Sequence, residues 1–170
     1  MQCIIPQKNL RKPSPQTEKE LLVRAKALQG STIKTIAEKI GVPIPDNHTN
    51  AKGFIGTIIE YALGASPDAG EKPDFPHLSV ELKTIPIGKN GLPQETTFCC
   101  SITMKDANRE EWFSSRLKQR LQKVLWVPVQ SAKIASLPER KVLQPFIWTP
   151  EKNELMLLQN DWEDLIGMVA

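Results

Sequence analysis

The chain has 170 residues, enough for one domain with a real hydrophobic core, and its 40% hydrophobic and 24% charged content is ordinary for a globular protein. A net charge of +3 permits a nucleic-acid partner without demanding one, and neither a membrane-length apolar run nor an apolar signal core is present. Three cysteines, Cys3, Cys99 and Cys100, form an odd set with two adjacent, which excludes a disulfide framework and metal-ligand spacing and fits a reducing, cytoplasmic setting.

Residues 1–16 carry Pro6, Pro13, Pro15, Lys8, Arg11 and Lys12 and read as a flexible basic arm before a core domain over 17–170. Thr17-Glu18-Lys19-Glu20 has the form of a capping box. Leu21, Leu22, Ala25 and Leu28 then give a helical stripe that Gly30 ends. A second helix starts at Ser31, with Ile33, Ile36, Ala37 and Ile40 facing inward and Gly41 and Pro43 closing it. This pair also reads as the first half of a helix-turn-helix, which sets up a rival function: DNA binding without chemistry. A recognition helix should follow promptly with polar or basic side chains. Instead comes the loop Ile44-Pro45-Asp46-Asn47-His48-Thr49-Asn50, in which His48 reads as a polar loop residue.

From Lys52 to Gly64 the chain reads K-G-F-I-G-T-I-I-E-Y-A-L-G. At helical spacing Ile55, Ile58, Ile59 and Ala62 make a buried stripe, while Gly53, Gly56, Thr57, Glu60 and Gly64 share the opposite face. Glycine costs about 1 kcal/mol against alanine inside a helix, so several on one face suggest close approach by another backbone or a ligand. Glu60 stands among them, open both to a functional role and to simple solvation.

Pro73 to Lys83 reads P-D-F-P-H-L-S-V-E-L-K. Its last six residues alternate as a strand, with Leu78, Val80 and Leu82 on one face and Ser79, Glu81 and Lys83 on the other. In an extended chain Asp74 and Glu81 would stand ~23 Å apart, so they meet only if the chain reverses, which Pro76 favours. Converged, the two carboxylates would suit a hard divalent cation such as Mg2+, with Lys83 beside it to stabilise a phosphate or an attacking hydroxide. The plainer alternative is a surface hairpin with a solvated Glu and Lys. His77 reads as a turn or surface residue.

Thr84 to Ile87 continues the strand into Gly88-Lys89-Asn90-Gly91, a hairpin-turn signal, with a returning strand expected over 96–104. A helix is expected over 109–123, with Trp112, Phe113, Leu117 and Leu121 on one side and Arg116, Lys118, Arg120 and Lys123 elsewhere. Such a row of cations suits a phosphate backbone, or plain exposure to solvent. Short strands over 124–129 and 146–148 follow. Thr149-Pro150-Glu151 opens a last helix toward Ala170, with Leu155, Leu158, Trp162, Leu165 and Ile166 inward.

Taken together, K-G-F-I-G-T-I-I-E-Y-A-L-G-A-S, D-F, V-E-L-K-T-I-P, E-T-T-F and K-V-L-W-V-P resemble the MutH family of methyl-directed mismatch-repair endonucleases, from about residue 17 onward and in the same order. The resemblance implies an α/β, PD…(D/E)xK restriction-endonuclease-like fold, a mixed β-sheet flanked by helices. It implies Mg2+-dependent nicking, with Mn2+ able to substitute, of the unmethylated strand at hemimethylated GATC sites in double-stranded DNA, by a monomer that MutL activates. Carried over by position, Glu60, Asp74, Glu81 and Lys83 match the catalytic set, with the three acids as metal ligands. Lys52 and Gly53 fall where family members approach the minor groove, and Lys118 and Arg120 lie on the basic helix. Arg120 stands where the family has a lysine. Family members usually continue past the last helix, so the DNA-reading C-terminal arm is expected to be lacking here.

Overall fold

The computed structural model describes residues 11–45, 53–67, 69–101 and 111–169. Its helices are α1 (Glu18–Lys26), α2 (Ile33–Ile40), α3 (Phe54–Leu63), α4 (Arg116–Leu121) and α5 (Lys152–Val169), and its strands are β1 (Glu81–Ile87), β2 (Val124–Gln130) and β3 (Phe146–Trp148). The strands form one mixed sheet in the order β1-β2-β3. β1 and β2 run parallel with Glu81 beside Val124 and Lys83 beside Trp126, and β3 is antiparallel to β2. This is the helix-flanked mixed α/β sheet expected of the restriction-endonuclease-like class.

Local chemistry sets the helix ends. Thr17 Oγ1 accepts from the Glu20 amide at 3.1 Å, and Glu20 Oε2 accepts from the Gln16 amide at 2.7 Å. The capping box therefore closes one residue earlier than its usual reciprocal bond. α2 begins at Thr32, whose hydroxyl accepts from the Thr35 amide, and ends at Gly41 with φ 68°. α3 lies between Gly53 at φ 92° and Gly64 at φ 81°, positions that L side chains resist.

One continuous core joins these pieces. Ile58, Ile59 and Leu63 of α3 pack in it with Leu21 of α1, Ile33 and Ile36 of α2, and Leu125 and Val127 of β2. Each such side chain, fully buried, contributes about 1.5–3 kcal/mol. β2 is apolar on both faces, as a parallel strand covered on both sides should be. Because α3 is buried in this core, it is not a recognition helix, and among the described residues nothing favours the helix-turn-helix reading.

Several expectations need correction. Leu78 is not in the strand: Pro76–Leu78 is a 3-10 turn, Ser79 sits at φ 53°, and β1 starts at Glu81. The turn after β1 forms, with the Gly88 amide on Leu92 O and the Gln94 amide on Pro86 O. No strand follows over 96–101, and 102–110 lie outside the described residues. The basic helix starts only at Arg116, because Ser115 is extended and caps the Lys118 amide, and Trp112–Ser114 is a separate 3-10 turn. Phe113 is exposed, whereas Trp112 is buried against Trp162 with ring centroids 5.9 Å apart. Through that contact α5 reaches the domain, while Leu165, expected inward, is exposed. Residues 11–16, expected to be part of a flexible arm, pack on α1 and α3. Among the described residues no helix is long and apolar enough to cross a membrane.

Candidate active site

The site begins with a chain reversal. The Phe75 amide donates to Val80 O at 2.9 Å and the Val80 amide returns to Phe75 O at 3.3 Å, so the six residues from Phe75 to Val80 fold back tightly over the 3-10 turn. Phe75 and Val80 are fully buried and pin both ends. As a result Asp74, remote from Glu81 in an extended chain, reaches the first turn of β1 and accepts the Leu82 amide on Oδ2 at 2.8 Å.

β1 then places Glu81 and Lys83 on one face, as its alternation requires. Lys83 Nζ lies 2.9 Å from Glu81 Oε1. Arg120, carried on α4, donates from Nη1 to the same oxygen at 2.7 Å and from Nη2 to Gly70 O at 2.9 Å. Glu81 is 1% exposed, which removes the solvated-hairpin alternative. Two cations serve one carboxylate oxygen, while the buried Glu81 Oε2 and Arg120 Nε have no hydrogen-bond partner among the described residues.

Glu60 approaches from α3. Its carboxyl is pushed above the ordinary glutamate value first by burial and then by the Asp74 charge, with Glu81 adding to the effect and Arg11 and Lys83 opposing it. Burial also pushes Glu81 up, followed by the Asp74 charge, against the pull of Lys83 and Arg120. The Asp74 charge thus raises the proton affinity of both glutamates, and Glu81 adds to that of Glu60, an arrangement of neighbouring acids associated with functional sites. Among the described residues no three acid, histidine or cysteine side chains are placed to hold a metal ion together. The reason is visible in the contacts: Asp74 Oδ2 is held by a backbone amide, and Glu81 Oε1 by Lys83 and Arg120. The orphaned Glu81 Oε2 nevertheless fits a cation, because an anionic oxygen buried without a partner is costly.

A cleft of about 500 Å3 opens beside Glu60 and Lys83, lined also by Thr84, Glu95 and Phe98, while Asp74 and Glu81 are not on its walls. It adjoins a second cleft of about 380 Å3, which shares Gly56, Thr84 and Glu95 and adds Gly53, Lys133 and Arg140. The Cys99 thiol is pushed up by burial and feels Lys83, Glu81 and Arg120, which sets the segment after Glu95 close to the charged cluster.

Gly53 thus borders the cleft, whereas Lys52 lies outside the described residues. Lys118 Nζ sits 4.6 Å from the centroid of the Phe113 ring, away from the Glu81 pair. The row of cations on and after α4 is largely paired: Arg116 with Glu71, Arg120 with Glu81, Lys123 with Glu18. Sequence reasoning passed over Thr84, Glu95 and Arg11. The E-T-T-F string marked Glu95 only as part of a resemblance, and nothing local marked Arg11.

A profile described as "DNA mismatch repair enzyme MutH" matches residues 63–161 of the chain. The "DNA mismatch repair protein MutH" of Vibrio parahaemolyticus is 43% identical over 161 residues, covering 94% of this chain and 70% of that protein. The protein of the same description from Haemophilus ducreyi is 42% identical, covering 92% and 69%. That from Shewanella putrefaciens is 41% identical over 172 residues, covering 100% and 73%.

Proposed function

Because the chain belongs to the MutH family of DNA mismatch repair enzymes, we propose that it is a Mg2+-dependent endonuclease that nicks the unmethylated strand at hemimethylated GATC sites by phosphodiester hydrolysis. The observation that carries this reading is the reversal over Phe75 to Val80, which sets Asp74 on the backbone of Leu82, between Glu81 and Lys83 in sequence. Asp74 and Glu81, helped by Glu60, would hold Mg2+, and Mn2+ would substitute. When bound, such an ion polarises the scissile phosphate and lowers the pKa of a bound water.

The chain's own residues do the rest. Lys83, held on Glu81 Oε1, orients the nucleophile or stabilises the charge that develops on the phosphate. Arg120 brings a second cation to the same carboxylate, as a flat fork rather than the compact ammonium of a lysine. Double-stranded DNA would lie along the joined clefts, with Gly53 at one end and Lys118 and Arg120 contributing from α4, and Lys52 is assigned to DNA by the family resemblance alone. The enzyme acts as a monomer in the cytoplasm, and MutL activates it.

The test is a nicking assay on hemimethylated GATC plasmid with and without Mg2+, run beside Asp74→Ala and Glu81→Ala. Both variants should lose more than about 100-fold in rate, beyond the usual effect of removing a group that merely supports a ligand. DNA association measured in Ca2+ should stay nearly intact, because positioning contacts come mainly from other residues. Retained nicking in either variant, or cutting that ignores divalent ions, would sink the reading.

A further inference from the structure

We infer that residues Arg11 to Pro15 form a strap that positions the acidic site, with Arg11 as a positioning residue fixing the Glu60 end of α3 against the loop that leads to Asp74. This rests on the reading of Glu60 and Asp74 as parts of one site. The strap is tied to three elements. Arg11 donates from Nη1 to Ala65 O, and its guanidinium carbon lies 4.3 Å from the centroid of the Tyr61 ring. The Lys12 amide donates to Tyr61 O at 3.2 Å. Arg24 of α1 donates from Nη1 to Pro13 O at 2.6 Å and to Leu63 O at 3.3 Å. His77, in the turn before β1, donates from Nε2 to Pro15 O at 2.6 Å.

Ala65 explains why this matters for the acids. Its amide donates to Glu60 O at 2.9 Å, and the next amide, Ser66, donates to Asp74 O at 2.7 Å. The peptide whose carbonyl Arg11 holds therefore joins Ala65, bonded to the Glu60 backbone, to Ser66, bonded to the Asp74 backbone. His77 holds the strap from the other side, three residues past Asp74. Gly64 shows how close the strap comes: a Cβ there would lie 2.5 Å from Pro13 O and 2.7 Å from Lys12 O.

Arg120 and Arg116 already hold Gly70 and Glu71, so the strap is what fixes the other end, Gly64 to Ser66, where ordering each residue's backbone costs about 1–2 kcal/mol in entropy. Liganding side chains must be held within roughly 0.5 Å to work, and rigid support from neighbours supplies that. Arginine suits the role because its planar fork stacks on an aromatic face while still donating a hydrogen bond. Its charge also favours the ionised form of Glu60, which a ligand requires.

The experiment uses the full chain and the variants Arg11→Ala, Arg11→Gln and Arg11→Lys. Amide hydrogen exchange at Ser66 and Leu82 reads the position of Asp74 directly, since those amides bond its carbonyl and its carboxylate. Both should exchange about tenfold faster in Arg11→Ala, and Mn2+ affinity without DNA should fall by about the same factor, the lower end for losing an outer support of a ligand. Arg11→Lys, which keeps the charge and a donor but not the planar fork, should recover part of both, and Arg11→Gln should recover less. If Arg11→Ala fails to fold, the ranking of wild type over Lys over Gln decides the matter. Unchanged exchange at Ser66 and Leu82, or a lowered melting temperature with unaltered Mn2+ affinity, overturns the strap. Should the wild-type chain bind no Mn2+ and cut no DNA, the nuclease reading falls, and the exchange rates alone judge the strap.

Discussion

Arg120 donates to Glu81 Oε1 at 2.7 Å, on the same oxygen that Lys83 Nζ approaches at 2.9 Å. In this arrangement a guanidinium occupies electrostatic ground that a divalent ion bound at Glu81 would need. A unit charge and a divalent ion ~6 Å apart repel by ~5–6 kcal/mol at an effective dielectric of 20. The Glu81 charge and solvent at the partly exposed Arg120 side chain offset most of that, leaving about one decade in affinity. Arg120→Gln should therefore bind Mn2+ about tenfold more tightly in the absence of DNA, while nicking more slowly because a cation facing the phosphate is lost. Calorimetric titration of the two proteins checks the first half. Equal affinities would mean that Arg120 and the ion do not compete. In Glu81→Gln the rise in melting temperature that Mn2+ gives by ligand linkage should shrink.

The raised carboxyls give a pH prediction with a definite sign. For Glu60 the folded state holds its proton more firmly than the unfolded chain, whose value is 4.5. Folding is therefore favoured while the group is protonated, and this contribution is lost as pH rises from 4.5 through the raised folded value. Glu60→Gln keeps a neutral side chain at every pH. Without metal the variant should match the wild type at low pH and become the more stable protein as pH rises past that window. Thermal melts of both from acid to neutral pH test this, and a constant gap would show that Glu60 is not buried among acids. Divalent-ion affinity of the wild type should rise over the same window, because the ionised form binds.

How much of this was legible in the sequence depends on the range of each interaction. The Asp74 to Glu81 reversal is local, so Pro76 and the period-2 pattern after it carried the signal, although the left-handed Ser79 carried none. The capping residue Thr17 and the glycines closing α2 and α3 were legible for the same reason. Arg11 meets Ala65 across 54 positions and Arg120 meets Glu81 across 39, and no periodicity encodes either. The basic helix was drawn too long because its apolar spacing runs on through Trp112 and Phe113. Burial splits those two neighbours, and only the packing of Trp112 on Trp162 decides it. Glycines sharing a face with Glu60 suggested close approach by a backbone. At Gly64 that backbone is the strap, and at Gly53 none of the described residues lies within 4 Å of an added Cβ.

That contrast between two glycines is itself testable. Gly53 and Gly64 both sit at positive φ, 92° and 81°, so alanine at either is strained by about 1–2 kcal/mol. In a chain of this size each kcal/mol lowers the melting temperature by roughly 2–4 °C. Gly53→Ala should show that loss and no more. Gly64→Ala must also push back the carbonyls of Lys12 and Pro13, which are backbone and yield only if the strap moves. Its melting temperature should fall clearly further, and Mn2+ affinity should fall with it. Equal losses in thermal melts would show that the strap accommodates the methyl group.

The ion pairs around α4 predict how the chain responds to salt when it binds DNA. Each phosphate contact made by a cation lowers the slope of log K against log salt by about 0.9 on duplex DNA. A cation already held by a carboxylate has less to give, since contacting a phosphate means breaking its own pair. Arg116 is engaged by Glu71 and Lys123 by Glu18, whereas Lys118 rests over the Phe113 ring and, among the described residues, forms no ion pair. Lys118→Gln should therefore reduce the slope by about 0.9 and weaken binding equally on all sequences, because phosphate contacts carry no base information. Arg116→Gln and Lys123→Gln should leave the slope near the wild-type value and act instead on the melting temperature, and only slightly, as partly exposed pairs are worth at most about 1 kcal/mol. Titrations of one duplex at several salt concentrations, with each variant in turn, separate these outcomes. A fall of similar size in all three slopes would mean that the carboxylates release their cations on contact with DNA, and that α4 presents its whole basic row to the backbone.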